Sequence, residues 1–130
     1  MLTIACVLAG LAALVHVYIF VIESLQFERP STLRTFGIRA EEAVVMKPWA
    51  FNQGFYNLFL ATGAVVGIAL VGVGTNRDAG VALMVFTTAS MLAAAAVLVT
   101  SDRRKLQAAV VQGLFPLLAL VATWVWGVWG

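Results

Sequence analysis

Two side chains capable of proton transfer lie on the first apolar stretch of this chain, one within it and one at its end. His16 and Glu23 are seven residues apart, a spacing that puts both on one face of a helix, roughly 10 Å apart along its axis. An imidazole and a carboxylate so placed can act as an acid or base and a proton relay. They can equally bind the polar part of a ligand in apolar surroundings.

A second set of polar residues follows the spacing of one helix face. Gln53, Tyr56 and Asn57 fall at positions i, i+3 and i+4, which brings their side chains to the same side of a helix. Gly63 and Gly67 continue this stripe, and two glycines four residues apart allow another helix to approach closely. We therefore predict that the stripe faces inward, against another helix.

Four long apolar segments carry these residues. Hydrophobic residues make up 62% of the 130-residue chain and charged residues 11%. In a soluble domain about half of the residues are hydrophobic and about a quarter are charged. A core this small cannot hide the excess, so lipid must be the solvent. The sequence predicts an all-α integral membrane four-helix bundle, a single transmembrane domain over residues 1–130. Its spans are expected at about 2–22, 50–73, 79–100 and 106–129.

The basic residues predict the orientation of the bundle. Seven of the eight lysines and arginines fall in the first and third gaps between spans, and Arg77 alone falls in the second. The positive-inside rule then puts the first and third gaps in the cytoplasm and both termini outside. A signal peptide would begin with a basic segment, which the first span lacks. The net charge of +2 is too small to suggest a nucleic-acid partner.

The first gap is long and is predicted to be a cytoplasmic, partly amphipathic loop. Residues 27–49 mix charged with apolar side chains. Pro30 is suited to start a short helix that Gly37 ends. Residues 40–47 are expected to form a second helical piece, both pieces lying on the inner membrane surface. Pro48 then suits the first turn of the second span.

Polar groups on three spans are predicted to meet at one depth. Measured from the cytoplasmic interface, His16, Tyr56, Asn57 and Gln112 all lie roughly 9–11 Å deep. Pro116 lacks an N–H and so frees the carbonyl of Gln112 at this level. The predicted ligand-binding residues are this group and those at its mouth, namely His16, Glu23, Asn52, Gln53, Tyr56, Asn57 and Gln112.

Structural interpretations stay open beside this one. His16 would lock the bundle by bonding to Tyr56 or Asn57, and Glu23 would pair with a cation of the first gap. No metal is predicted, because His16 is the only histidine and lies too far from Glu23 to share an ion without a bend. No cofactor is predicted and no catalytic residue is assigned, since no nucleophile has an adjacent base.

The motifs together resemble a known family. They are His16-x-Tyr18 followed by Glu23, then Phe36-Gly37, then Asn52-Gln53-Gly54-Phe55-Tyr56-Asn57-x-x-Leu60-Ala61, and finally Val111-Gln112-Gly113-x-x-Pro116. They are similar to those of a widespread family of small bacterial four-span membrane proteins, known as domain of unknown function 1304. The resemblance runs over nearly the whole chain. It implies a multi-pass protein of the bacterial inner membrane and brings no activity or cofactor.

Three functions are compatible with these residues. The leading one is binding or transport of a small amphiphilic or lipid-like ligand in a polar pocket in the cytoplasmic half of the bundle. The second is a membrane-embedded enzyme with His16 as acid/base and Glu23 as its relay. The third is an accessory subunit that docks on a larger membrane complex. The expected partners are the lipid bilayer, such a ligand, and a second copy or larger complex.

Overall fold

Four long apolar helices make up the fold, with a short helix in the first connection and turns in the other two. The computed structural model describes residues 1–74 and 76–129. Its helices are α1 (Leu2–Phe20, continued by a π-helical turn at Val21–Leu25), α2 (Pro30–Phe36), α3 (Ala40–Val73), α4 (Arg77–Ser101) and α5 (Leu106–Trp129, preceded by a 3-10 turn at Arg103–Lys105). All but α2 are long and apolar enough to cross a membrane. The predicted all-α, four-helix membrane bundle is confirmed, and the protein is a multi-pass membrane protein.

The predicted short helix in the first gap is present as α2. Pro30 occupies its first turn and Gly37 ends it with φ at 64°, a left-handed conformation that glycine adopts without steric cost. The Lys105 ammonium donates a hydrogen bond to the Phe36 carbonyl. This contact ties the first gap to the third gap, so both lie at the same end of the bundle.

The predicted break before the second span was wrong. α3 runs unbroken from Ala40 to Val73, with Pro48 inside it, so residues 40–47 are not a separate piece. The helix starts early because Glu42 accepts hydrogen bonds from the backbone N–H and the guanidinium of Arg39, at 3.1 and 3.0 Å. Pro48 removes only one helical hydrogen bond, to the carbonyl of Val44. Val44 is exposed, so its carbonyl is not trapped in the core.

α3 is longer than a membrane span requires. Its 34 residues extend roughly 51 Å, whereas the hydrocarbon core is about 30 Å thick. Its first turns therefore extend beyond the hydrocarbon at the end of the bundle that carries the first gap. Trp49, in the first third of the helix, is exposed, which suits an aromatic residue at a membrane interface.

The four long helices form a ring. α1 packs against α3 and α5, and α4 packs against the same two helices, so α1 and α4 occupy opposite corners. Ser24 of α1 lies beside Gly54 of α3, and Gly10 lies beside Ile68. These two pairs show that α1 and α3 run antiparallel.

Small residues dominate the core. Buried side chains form two clusters along α1, one containing Leu2, Ala5, Ala9, Met84, Ala119 and Ala122 and the other Ala12, Ala13, Ala61, Ala64 and Met91. Small side chains let helix backbones approach closely, which is how helices associate in lipid. The buried Thr88 and Thr123 hydroxyls donate to carbonyls of their own helices, at 2.7 and 2.8 Å, so neither is left unpaired.

The glycine face of α3 packs on α4. A Cβ on Gly67 would lie 2.9 Å from the Gly80 carbonyl oxygen and from the Met84 amide nitrogen, and one on Gly63 would lie 2.6 Å from a methyl group of Thr87. The prediction that Gly63 and Gly67 face another helix is confirmed, and that helix belongs to the same chain. Gly80, which completes the contact, was not singled out from the sequence.

Candidate functional site

A π-helical turn ends the first span and sets the direction of Glu23. The Gln26 amide donates to the Val21 carbonyl, five residues back, at 3.0 Å. Such turns hold one residue more than an α-helical turn, and they are frequent at functional sites. Here the turn leaves Ile22 buried and Glu23 half-buried.

Gly54 brings α3 against this turn. A Cβ at Gly54 would lie 3.1 Å from the Ser24 amide nitrogen and 3.2 Å from the Glu23 Cβ, so only a glycine fits without a shift. The Ser24 hydroxyl donates to the Phe51 carbonyl at 2.8 Å. The two helix segments are thus held together by close backbone approach and by a hydrogen bond.

Glu23 and Asn57 meet at this crossing. The Asn57 amide nitrogen donates to a Glu23 carboxylate oxygen at 3.0 Å and to the Gln53 carbonyl at 3.1 Å. Both amide hydrogens are therefore used, since a primary amide has two. Asn57 is buried and Glu23 half-buried. Within the part of the chain that the structure describes, the second Glu23 oxygen accepts no hydrogen bond.

His16 is buried but bonded to its own helix. Its ring is 1% exposed, and Nδ1 lies 2.9 Å from the Ala12 carbonyl oxygen. A carbonyl can only accept, so Nδ1 carries the hydrogen and Nε2 is the nitrogen left for other partners. Among the described residues, His16 forms no hydrogen bond with Tyr56 or Asn57, so the expected lock between them is not formed.

Tyr56 does not face the bundle interior, and that prediction was wrong. Its side chain is 57% exposed and meets Phe59 edge-on, with ring centroids 6.5 Å apart. The buried face of α3 is centred on Gly54, Asn57 and Ala61. Tyr56 precedes Asn57 by one residue, which rotates it about 100° away from that face.

The remaining predicted residues lie apart from the Glu23–Asn57 pair. Asn52 and Gln53 are exposed, although the Gln53 carbonyl holds Asn57. Gln112 is half-buried on α5, at the corner of the ring opposite to α3, and makes no side-chain hydrogen bond to any described residue. The predicted four-residue cluster is therefore not formed. The ligand-binding role of the seven residues stays a prediction.

A cleft that the sequence did not reveal begins at Ser24, the residue that follows Glu23, and neither Glu23 nor Asn57 lines it. It has a volume of about 340 Å³ and is lined by Ser24–Pro30 and Lys47. Its lining mixes apolar side chains such as Leu25 with polar ones, two of which, Lys47 and Glu28, form an ion pair. The signal in the sequence was an apolar residue, Phe27, among the charges of the first gap; in the structure it is buried. Among residues 1–74 and 76–129, no group of three His, Cys, Asp or Glu residues could hold a metal ion.

The comparisons with known proteins identify a family and nothing more specific. No curated protein and no solved structure is similar enough to the chain to count as a match. Residues 10–124 match the family described as "Protein of unknown function (DUF1304)". This range contains the π-helical turn, Gly54 and Asn57, and it takes in nearly the whole bundle. The chain therefore belongs to the DUF1304 family of proteins of unknown function.

Proposed function

We propose that this protein binds, or carries across the membrane, a small amphiphilic or lipid-like molecule at the end of the bundle where Glu23 meets Asn57. The observation that carries the proposal is the hydrogen bond of 3.0 Å between these two side chains. A cleft of about 340 Å³ begins at the next residue, Ser24. Ligand sites typically combine apolar walls with a few convergent polar groups, and this end of the bundle has both.

The chemistry of the pair favours a ligand with a hydrogen-bond donor. Ionisable residues in membrane spans are costly, so they tend to mark functional sites. Asn57 donates one amide hydrogen to Glu23 and the other to the carbonyl of Gln53 in its own helix. The Glu23 carboxylate has further acceptor positions. A hydroxyl or amine head group would fill one of them. An apolar tail would then lie against Leu25 and Phe27 of the cleft or in the adjoining lipid.

The surrounding structure holds the pair in place. The π-helical turn fixes the direction of Glu23, Gly54 sets the helix separation, and the Ser24 hydroxyl fastens the turn to α3 at 2.8 Å. Binding sites built on rigid elements lose less free energy to ordering when the ligand arrives. The basic residues at this end support its assignment to the cytoplasmic half. A dimer or a larger complex remains an expectation.

Photo-crosslinking tests the proposal. The probes are a long-chain amine, the corresponding alcohol and the corresponding carboxylic acid, each with the same diazirine-bearing chain, added to protein in lipid nanodiscs. We expect the amine and the alcohol to label peptides around residues 24–30. Glu23→Gln should lower this labelling by about tenfold, because a hydrogen bond to a charged group contributes roughly 1.5–3 kcal/mol.

Glu41→Gln is the matched control. It makes the same change at an exposed position in the first turn of α3 and should leave labelling as in the natural protein. Equal labelling of the Glu23→Gln and Glu41→Gln variants would contradict the proposal. So would stronger labelling by the acid than by the amine.

A further inference from the structure

An apolar groove runs between α4 and α5 on the outside of the bundle. It has a volume of about 260 Å³ and is lined by residues of α4 from Leu92 to Val99 and residues of α5 from Leu106 to Leu117. It is separate from the Glu23 site, which lies between α1 and α3. The groove shares no lining residue with the cleft that begins at Ser24.

The side chains of α4 and α5 do not fill the groove between them. A Cβ on Gly113 would lie 2.9 Å from the Cβ of Ala95, so the two helices already touch beneath it. Ala96 and Ala109 are too short to fill the space above that contact, and the larger Leu106 and Val110 beside it are exposed. An apolar occupant is therefore needed, because an unfilled groove forfeits contacts on one side.

The length of the groove matches one leaflet of a bilayer. From Leu106 to Leu117 the α5 side extends roughly 16 Å, about half of the ~30 Å hydrocarbon core. An acyl chain of one leaflet has this reach. A spanning helix of a partner would be expected to follow both leaflets.

Positive charge lies at the end of the groove where a head group would be. Residues 102–105 carry three positive side chains and one negative side chain. Asp102 pairs with Arg104 at 3.1 Å, and Lys105 donates to the Phe36 carbonyl. Arg103 has no ion-pair partner in the described part of the chain. It belongs to the 3-10 turn Arg103–Lys105 and comes three residues before Leu106, which lines this end of the groove.

We propose that this groove holds an acyl chain of an anionic glycerophospholipid whose phosphate is bound by Arg103. The planar guanidinium suits a phosphate, to which it can donate two parallel hydrogen bonds. Basic pockets between membrane helices on the cytoplasmic side are known to bind anionic head groups. A second copy fits less well, since a two-fold axis at the groove would bring two identical basic turns together at one level.

Native mass spectrometry tests this site. Protein in mild detergent is mixed with equal amounts of phosphatidylglycerol and phosphatidylcholine that have the same acyl chains, and the bound lipids are counted. We expect the natural protein to retain phosphatidylglycerol preferentially. Arg103→Gln should lower this preference about fivefold, the effect of roughly one basic residue near the head groups, and Arg34→Gln, at an exposed position of α2, should not.

A second pair of variants tests the groove itself. Ala96→Phe places a ring in the groove and should lower retention of both lipids, whereas Ala93→Phe makes the same change at an exposed position outside it. Glu23→Gln should leave the preference unchanged, so the two proposals fail separately. The lipid site is overturned if the natural protein shows no preference, or if Arg103→Gln and Arg34→Gln behave alike. Loss of a dimer in Ala96→Phe with unchanged lipid retention would assign the groove to a second copy instead.

Discussion

Gly67→Leu is expected to destabilise the bundle by about 3 kcal/mol or more, or to prevent it from folding. A Cβ at this position already lies 2.9 Å from backbone atoms of Gly80 and Met84, and backbone cannot move aside as a side chain can. Inserting bulk into a packed core typically costs about 1–3 kcal/mol. Here the two helices must separate, so we expect the upper end of that range. Thermal unfolding in detergent, with size-exclusion chromatography of the same sample, measures the effect.

Gly72→Leu is the matched control for that substitution. Gly72 lies on the same helix, and a Cβ there meets nothing within 4 Å. This variant should be as stable as the natural protein or slightly more stable, because leucine has the higher helix propensity. If Gly67→Leu and Gly72→Leu unfold at the same temperature, α3 and α4 do not pack through Gly67 and Gly80.

Cysteine labelling in intact cells should give an all-or-none result at the two ends of the bundle. In a Cys6→Ala background, Asp78→Cys should react with a membrane-impermeant maleimide, and Thr35→Cys should react only after the cells are permeabilised. Both positions are exposed, and neither change alters a lysine or arginine. The expectation rests on the seven basic residues of the first and third gaps, which the contact between Lys105 and Phe36 brings to one end.

The opposite labelling pattern would show that the protein has the reverse orientation in the membrane. It would move Glu23 and its cleft to the outer side, and it would contradict the cytoplasmic placement of the proposed site. The positions of the helices relative to one another would not be affected. Labelling of both cysteines before permeabilisation would instead show that one of the two segments is not where the bundle places it.

Length and hydropathy were sufficient to predict the bundle, because a spanning helix needs a continuous apolar run that the sequence displays directly. The packing of Gly63 and Gly67 could also be predicted, since small residues four apart have few other uses in lipid. The start of α3 could not be predicted, because a proline such as Pro48 fits either the first turn of a helix or a tolerated position inside it. The cap formed by Arg39 and Glu42 decided between them.

The candidate site was predicted in part, and its errors have two geometric causes. The first is rotation: Gln53, Tyr56 and Asn57 share one side of α3 only within a broad sector, and Tyr56 lies at the edge that faces outward. The second is the order of helices around the ring. Depth along a span can be counted from the sequence, but the sequence alone does not show that Gln112 and Asn57 are on helices at opposite corners. The pairing of Glu23 with Asn57 depends on a π-helical turn, which no pattern of residues in the sequence predicts.

Because of the π-helical turn at Val21–Leu25, the geometry of the site depends on the number of residues in this part of the chain. A π-helical turn is an α-helix with one inserted residue, so deleting one residue within Val21–Leu25 would restore a regular helix and rotate everything after it by about 100° relative to α1. Ser24 and the residues that follow would then lose their places beside Gly54 and Lys47. Insertions and deletions in this segment should therefore alter the site more than most substitutions of its side chains. Family members that share the site should keep the same number of residues between His16 and Pro30.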